Sequence, residues 1–110
     1  MELYIKDRIY IPQLLPQQTK SFMDFNVKRE ILKKVTLTEK DKETYSIEED
    51  VENRKITWNA EKDQQEPLVV EFTNEEVTML KRSCEQLAET AYPDDFWLTV
   101  EKIYNAANGN

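Results

Sequence analysis

The most regular apolar pattern in the chain lies in residues 73–91. Thr73 is followed three residues later by Glu76, which is the spacing of a capping box at the start of a helix. The apolar residues that follow recur at helical spacing and predict one buried stripe: Val77, Leu80, Cys84, Leu87, Ala88 and Ala91. Pro93 is predicted to end this helix, and Asp94 is predicted to cap a last helix.

The last helix carries apolar side chains over more than half of its circumference. One row is expected to close the core, and it consists of Phe96, Val100 and Ile103. Trp97 and Tyr104 lie beside this row, and Tyr92 precedes the helix. Two interpretations stay open for these three residues. They form a binding face, because Trp and Tyr are enriched where binding energy concentrates, or they pack inward, because a small domain needs every large side chain.

Residues 19–34 are also predicted to be helical. Two neighbouring rows follow helical spacing: Phe22, Phe25, Leu32 and Val35, and Met23, Val27 and Ile31. Together they predict a helix that is buried on more than one side. Met23, Phe25 and Val27 also alternate with polar residues, which is a strand pattern, but the length of the segment and its basic end favour a helix.

Shorter patterns predict the remaining elements. Two β-like runs are expected at residues 3–5 and 8–11, as separate strands or as one, followed by an extended connection over residues 12–18. Thr38, with Asp41 three residues on, predicts a short helix over residues 39–45, and residues 46–54 read as a polar connection. Strands at residues 55–58 and 68–72 are expected to pair across a long loop. The predicted fold is therefore α+β, with residues 1–110 in one domain and a small antiparallel sheet packed against three main helices.

Charge and missing residue types narrow the functions. The formal charge is −7, with +3 in residues 1–37, −5 in residues 38–66 and −5 in residues 67–110. An acidic chain is repelled by phosphate, which argues against direct nucleic-acid binding. The chain has no histidine, one cysteine (Cys84) and one glycine (Gly109), which excludes histidine-based triads, the usual zinc sites and phosphate-binding glycine loops. We therefore expect a protein that is not an enzyme and that needs no cofactor or metal.

Three local features have a plain structural interpretation. Cys84 falls on an apolar stripe and is expected to be a small core residue rather than a reactive thiol. The bases Lys28, Arg29, Lys33 and Lys34 are expected to form a solvated helix face. The acidic run Glu48, Glu49, Asp50 and Glu52 is expected to be an exposed loop; calcium binding is the alternative, but the spacing and glycine of an EF-hand loop are absent.

The stretches "VTLTEKDKETYSI", "KITWN" and "VEFTNEEVTMLK" resemble, in order and composition, small proteins of unknown function encoded by tailed phages and prophages. This resemblance covers roughly residues 31–82 and transfers no catalytic residue. It implies an accessory protein, encoded by a phage or mobile element, in the cytoplasm of a bacterial host. The chain shows no signal peptide and no apolar run long enough to span a bilayer, which also leads us to expect an intracellular protein.

The leading functional hypothesis is a small acidic protein that works by binding another protein. Its predicted contact residues are Trp97, Tyr104, Tyr92, Glu48, Glu49, Asp50 and Glu52. One alternative is an anti-CRISPR-like inhibitor of a host enzyme that handles nucleic acid, with the acids of residues 39–66 and 85–101 mimicking phosphates. The other is a homo-oligomeric scaffold with the Trp97 face in a twofold interface.

Overall fold

The computed structural model describes residues 1–87 and 90–109. Over these residues the backbone forms helices and two separate two-stranded antiparallel sheets, which confirms the α+β class. The elements in chain order are β1 (Glu2–Leu3), α1 (Ile5–Leu14), α2 (Phe22–Val35), α3 (Glu39–Thr44), β2 (Glu48–Asp50), β3 (Lys55–Thr57), α4 (Ala60–Gln65), β4 (Leu68–Val69), α5 (Asn74–Glu85) and α6 (Asp94–Ala107). Four of these helices, α1, α2, α5 and α6, have ten or more residues, where three main helices were predicted.

The prediction of strands at residues 3–5 and 8–11 holds only at Leu3, which lies in β1, and was wrong for the rest, because helix α1 begins at Ile5. Its start is fixed by Asp7, whose Oδ2 accepts the backbone N–H of Tyr4 at 3.0 Å. Ile5, Arg8 and Ile11 then lie one turn apart on the buried face. Because the charged residue Arg8 lies in the middle of that face, the spacing of the apolar residues alone did not show the helical period.

Proline also acts differently from the prediction in this segment. Pro12 is accommodated inside α1, where it costs one backbone hydrogen bond, so residues 12–14 are helical rather than extended. The helix ends at Leu14, and Leu15 is extended, with ψ of 152°. Leu15 precedes Pro16, and the residue before a proline is disfavoured in helical conformation.

Helix α2 confirms the helix predicted at residues 19–34, except that it begins at Phe22, and only part of its apolar surface is buried. Ser21 caps it by accepting the backbone N–H of Asp24 at 3.0 Å. Ile31 and Val35 are fully buried, whereas Phe22 and Phe25 at the N-terminal end are exposed. The prediction that the whole wide face packs inward was therefore wrong.

The predicted pairing of residues 55–58 with 68–72 was also wrong. β3 pairs with β2, so the acidic segment expected to be a plain connection is one strand of a hairpin, in which Glu49 faces Ile56. β4 is only two residues long and pairs with β1, with Leu3 opposite Leu68. The expected loop after Trp58 contains helix α4, which Asn59 caps by accepting the N–H of Lys62. Asn59 is a strong N-cap residue, so this start signal was present in the sequence.

The starts of α3 and α5 behave as expected. Thr38 with Asp41 and Thr73 with Glu76 both form complete capping boxes. α5 ends earlier than predicted, at Glu85, and the predicted stripe residue Ala88 lies outside the described residues. α6 begins at Asp94, but the cap position is Pro93, which makes no side-chain cap bond.

The core lies where α1, α2, α5 and α6 meet the β1–β4 sheet. Its fully buried side chains include Leu3, Ile11, Ile31, Leu80 and Ile103. α5 packs on both α2 and α6, and α1 packs on α6. Phe96 and Ile103 of α6 are fully buried, which confirms that this row closes the core.

Candidate functional site

The predicted aromatic face of α6 is partly covered. Trp97 keeps 40% of its surface exposed and meets the rings of Phe96 and Tyr92 edge-on, at centroid distances of 5.8 and 5.3 Å. Tyr92 is half-buried and stacks on Phe96 at 4.3 Å. Tyr104 is half-buried and donates its hydroxyl to Glu85 on α5 at 3.3 Å. Each of these three residues therefore has one side against the protein and one side toward solvent.

The predicted acidic residues occupy a different part of the molecule. Residues 48–57 form a hairpin, called the β2–β3 arm from here on, in which every residue is exposed. Glu48, Glu49 and Asp50 form strand β2, and Glu52 lies in the turn. Asp50 accepts hydrogen bonds from the backbone N–H and side-chain amide of Asn53, and these bonds hold the pKa of Asp50 below its usual value. In the described residues, no hydrogen bond or ion pair joins the arm to the α6 aromatic residues.

The carboxylates of β2 also have a structural role. Each strand of a two-stranded sheet has an open edge, and open edges pair with strands of other molecules. Acidic side chains along β2 oppose such pairing by charge repulsion. A cation site is a poorer interpretation, because no group of three or more Cys, Asp and Glu side chains in the described part of the chain is arranged to hold a metal ion.

An exposed apolar surface lies at the N-terminal end of α2. We call Phe22, Met23 and Phe25 the α2 patch; their exposed fractions are 75%, 72% and 45%. A shallow cavity of about 360 Å³ adjoins it, between Met23 and Val27 of α2 and the first turns of α5. No local sequence pattern indicated this exposure, because the apolar period of α2 continues unbroken from its exposed end to its buried end.

A second and larger cavity lies between α1, α4 and α6, and we call it the α1–α4–α6 groove. Its volume is about 720 Å³. Tyr4 and Trp58 supply aromatic walls and Leu98 supplies an apolar one. The groove also contains three carboxylates and two amines, from Asp7, Asp63, Asp95, Lys6 and Lys102.

Asp7 is the best-connected of these carboxylates. Its Oδ1 accepts the hydroxyl of Thr99 at 2.8 Å, and its Oδ2 lies 2.7 Å from Lys102 Nζ. The same ammonium lies 4.5 Å from the centre of the Tyr4 ring, a cation–π distance. Asp7 thus links the start of α1 to α6, in addition to its cap bond to Tyr4.

Asp63 is buried at the same site but has fewer partners. Its two oxygens receive one donor among the described residues, the backbone N–H of Ile5, at 3.1 and 3.3 Å. Burial raises the pKa of Asp63 above its usual value, and the nearby charge of Asp7 adds to this effect. The sequence did not reveal this residue, because Asp63 stands among polar neighbours in "NAEKDQQEP" and nothing local marks it as buried.

The remaining predicted features fit structural roles. Cys84 is half-buried beside the core, and burial raises the pKa of its thiol to about 11, which keeps it protonated and unreactive at neutral pH. Lys34 pairs with Glu76, and Lys33 pairs with Glu30, so this part of the basic cluster is engaged within the chain. None of the helices described in residues 1–87 and 90–109 is long and apolar enough to cross a membrane.

Comparison of the chain with protein-family models, curated proteins and solved structures gave no match. The phage resemblance and the functions that it implies therefore stay predictions.

Proposed function

We propose that the protein works by binding protein chains rather than by catalysis, and that the α2 patch is a contact surface. The observation that carries the proposal is the exposure of Phe22 and Met23, each more than 70%, side by side at the end of a capped helix. Scattered single apolar residues are normal on a protein surface, but adjoining large ones mark interaction sites.

The patch is a continuation of the core-facing side of α2. Met23, Val27 and Ile31 form one row, and they are exposed, half-buried and fully buried in that order. Ile31 belongs to the core cluster with Met79 and Leu80 of α5, whereas Met23 lines the open cavity between α2 and α5. A partner placed on the patch would extend the apolar contact that α5 already makes.

The charges near the patch indicate the chemistry of the partner. Residues 20–29 carry a net charge of +2 within a chain of −7, from Lys20, Lys28, Arg29 and Asp24. The Arg29 guanidinium lies 5.4 Å from the centre of the Phe25 ring, so positive charge borders the apolar surface directly. The complementary surface is apolar with acidic flanks.

The chain itself carries such a surface on the β2–β3 arm, so the occupant that we propose is a second copy. Val51 and Ile56 are exposed apolar residues on the arm, whose four carboxylates outnumber its two cations, Arg54 and Lys55. Contact between the arm of one copy and the α2 patch of the next joins two different surfaces. Such a head-to-tail contact builds rings or filaments, as expected of an assembly scaffold.

Sedimentation over a range of concentrations tests this proposal. We expect concentration-dependent oligomers whose dissociation constant rises at least about tenfold in Phe22→Ser and in Lys28→Glu/Arg29→Glu. Val69→Ser is the matched control, because Val69 is also exposed but lies outside both surfaces. The reversal Glu49→Lys/Glu52→Lys on the arm should restore assembly of the Lys28→Glu/Arg29→Glu chain, since it swaps the two charges.

A chain that stays monomeric at millimolar concentration would contradict self-assembly. Equal weakening by Val69→Ser and Phe22→Ser would contradict the choice of surface.

Mimicry of nucleic acid is a second candidate, favoured by the exposure of all four acids on the arm. It predicts that a captured nucleic-acid enzyme is released at high salt and is not captured by the Glu49→Lys/Glu52→Lys variant. Salt-insensitive capture would contradict it.

A further inference from the structure

We propose that the α1–α4–α6 groove binds a cationic group, an ammonium or a guanidinium, with Asp63 as its counter-ion. The groove shares no residue with the α2 patch or the β2–β3 arm. Cation binding in the groove can therefore be tested independently of self-assembly.

Charge pairing inside the groove supports the proposal. Lys6 Nζ lies 2.8 Å from Asp95 Oδ2, and Lys102 Nζ lies 2.7 Å from Asp7 Oδ2. These two pairs use both amines of the groove. Within the part of the chain that the structure describes, Asp63 has no cationic partner at ion-pair distance, so the groove is one positive charge short.

The burial of Asp63 also supports the proposal. Aspartate is almost never buried without a partner, because removing a carboxylate from water is strongly unfavourable unless charge and hydrogen bonds compensate. Here one backbone N–H, from Ile5, supplies the hydrogen bonding seen among the described residues. Lone pairs of both carboxylate oxygens are left for further donors, and an ammonium or guanidinium supplies two or more.

The shape and lining of the groove also fit a cationic ligand. A volume of about 720 Å³ is that of a small-molecule site rather than of a single water. Tyr4 and Trp58 offer aromatic faces, and Tyr4 already holds the Lys102 ammonium at 4.5 Å. Leu98, largely exposed, offers an apolar surface for an alkyl stem. A charged head on an alkyl stem is the chemistry of free arginine or an alkylamine, and also of an Arg or Lys side chain on a partner.

The pH dependence of cation binding follows from the ionisation of Asp63. Burial is the largest influence on the pKa of Asp63 and raises it; the Ile5 N–H lowers it, Asp7 on α1 raises it, and Arg8 on α1 and Lys102 on α6 lower it. A cation in the groove favours the ionised form. Binding should therefore weaken as the pH falls through the pKa of Asp63 in the free protein.

The test is a titration of the full chain with methylguanidinium and with methylammonium, in which binding is monitored by the amide chemical shifts in ¹H–¹⁵N spectra. We expect saturable shifts at groove residues, no saturation with the neutral isostere methylurea, and a dissociation constant at least about tenfold higher for Asp63→Asn. Asparagine keeps an oxygen for the Ile5 N–H, so this variant removes the charge with least change to the fold. Trp58→Ala is the second variant, and it should also weaken binding at least about threefold.

The control variant is Asp95→Asn, which removes a carboxylate at the rim that is already paired with Lys6. It should change the affinity less than Asp63→Asn. Non-saturable shifts, equal affinity for methylurea, or unchanged affinity in Asp63→Asn would overturn the proposal.

A second arm separates the two sources of the cation. If N-acetyl-arginine amide binds as well as free arginine, the site takes a side chain presented by a polypeptide. If free arginine binds at least about tenfold more tightly, the site takes a small amine whose backbone charges also contribute.

Discussion

Two buried charges, Arg8 and Asp63, lie near each other in the fold and differ in how they are paired. Arg8 is 4% exposed and Asp63 is 6% exposed. Arg8 donates to the backbone carbonyls of Val35 and Thr36 at 3.0 and 3.1 Å, and its Nη2 lies 2.7 Å from Asp41 Oδ2. Asp63 receives one backbone donor among the described residues.

This difference in pairing indicates two roles: the charge of Arg8 stabilises the fold, whereas the charge of Asp63 is available to bind a ligand. Arg8 sits at the end of α2, where a cation satisfies free carbonyl groups and interacts favourably with the helix dipole. It joins α1, α2 and α3 at one point, and its partners all belong to the chain. Asp63 accepts the backbone N–H of Ile5, the first residue of α1, but it faces an open groove. The cation that would complete its pairing therefore has to come from outside the chain.

The largest expected effect is that of Arg8→Met on stability. The change leaves the carbonyl of Val35 and the carboxylate of Asp41 without their cation, and breaking a buried pair in this way costs about 3–5 kcal/mol. The free energy of unfolding, measured by urea denaturation, should fall by that amount. Lys6→Met on the same helix is the control, because its ion pair with Asp95 is half-exposed and should be worth less than about 1 kcal/mol. Similar losses of unfolding free energy in the two variants would mean that Arg8 contributes no more to stability than a surface charge does.

A smaller effect, with a characteristic pH dependence, is expected for Asp41→Asn. Burial acts to raise the pKa of Asp41, but hydrogen bonds from Arg8 and Thr38 outweigh it and hold the pKa below 3.8. A lowered pKa gives stability that is present above pH 3.8 and is lost as the pH falls through the folded-state value. Asp41→Asn should thus cost about 1–3 kcal/mol at pH 7. Urea unfolding at several pH values should show this cost shrinking below pH 3.8; a cost that is constant with pH would contradict the ion pair.

Asp63→Asn should give the smallest effect on stability and the opposite pH trend. A raised pKa means that the folded state resists ionisation, so the charge of Asp63 opposes folding above its folded-state pKa and has no effect well below pH 3.8. The variant should be as stable as the natural chain at pH 7, or more stable by less than about 1 kcal/mol, because asparagine keeps the bond to Ile5. Any advantage should vanish as the pH falls toward 3.8. A loss above about 2 kcal/mol at pH 7 would show that the charge is already paired within the chain.

The sequence predicted best those elements whose start signals are local. The starts of α3 and α5 were indicated by two capping boxes, Thr38 with Asp41 and Thr73 with Glu76, because a capping box depends on residues three positions apart. Strand pairing was predicted wrongly because the partners of β1 lie 65 to 67 residues away, at Leu68 and Val69, and two-residue strands carry no pattern. α1 was missed because its buried face contains Arg8.

The candidate sites were less predictable than the fold. The acidic residues of the arm were found by composition, and their exposure agrees with the expected solvated run. The exposure of the α2 patch and the shape of the groove depend on how far neighbouring elements extend over them. No local sequence pattern contains this information. Asp63 in particular becomes notable only when burial and the pairing of Lys6 and Lys102 are known together.

The most direct test of this distinction is the pKa of Asp63 itself, from a ¹³C-carboxyl NMR titration of the full chain with and without methylguanidinium. We expect a pKa above 3.8 in the free protein, a lower value when the cation is bound, and no such change at Asp41. A pKa at or below 3.8 that does not respond to the cation would mean that Asp63 is already neutralised within the fold, and the groove would not be a cation site.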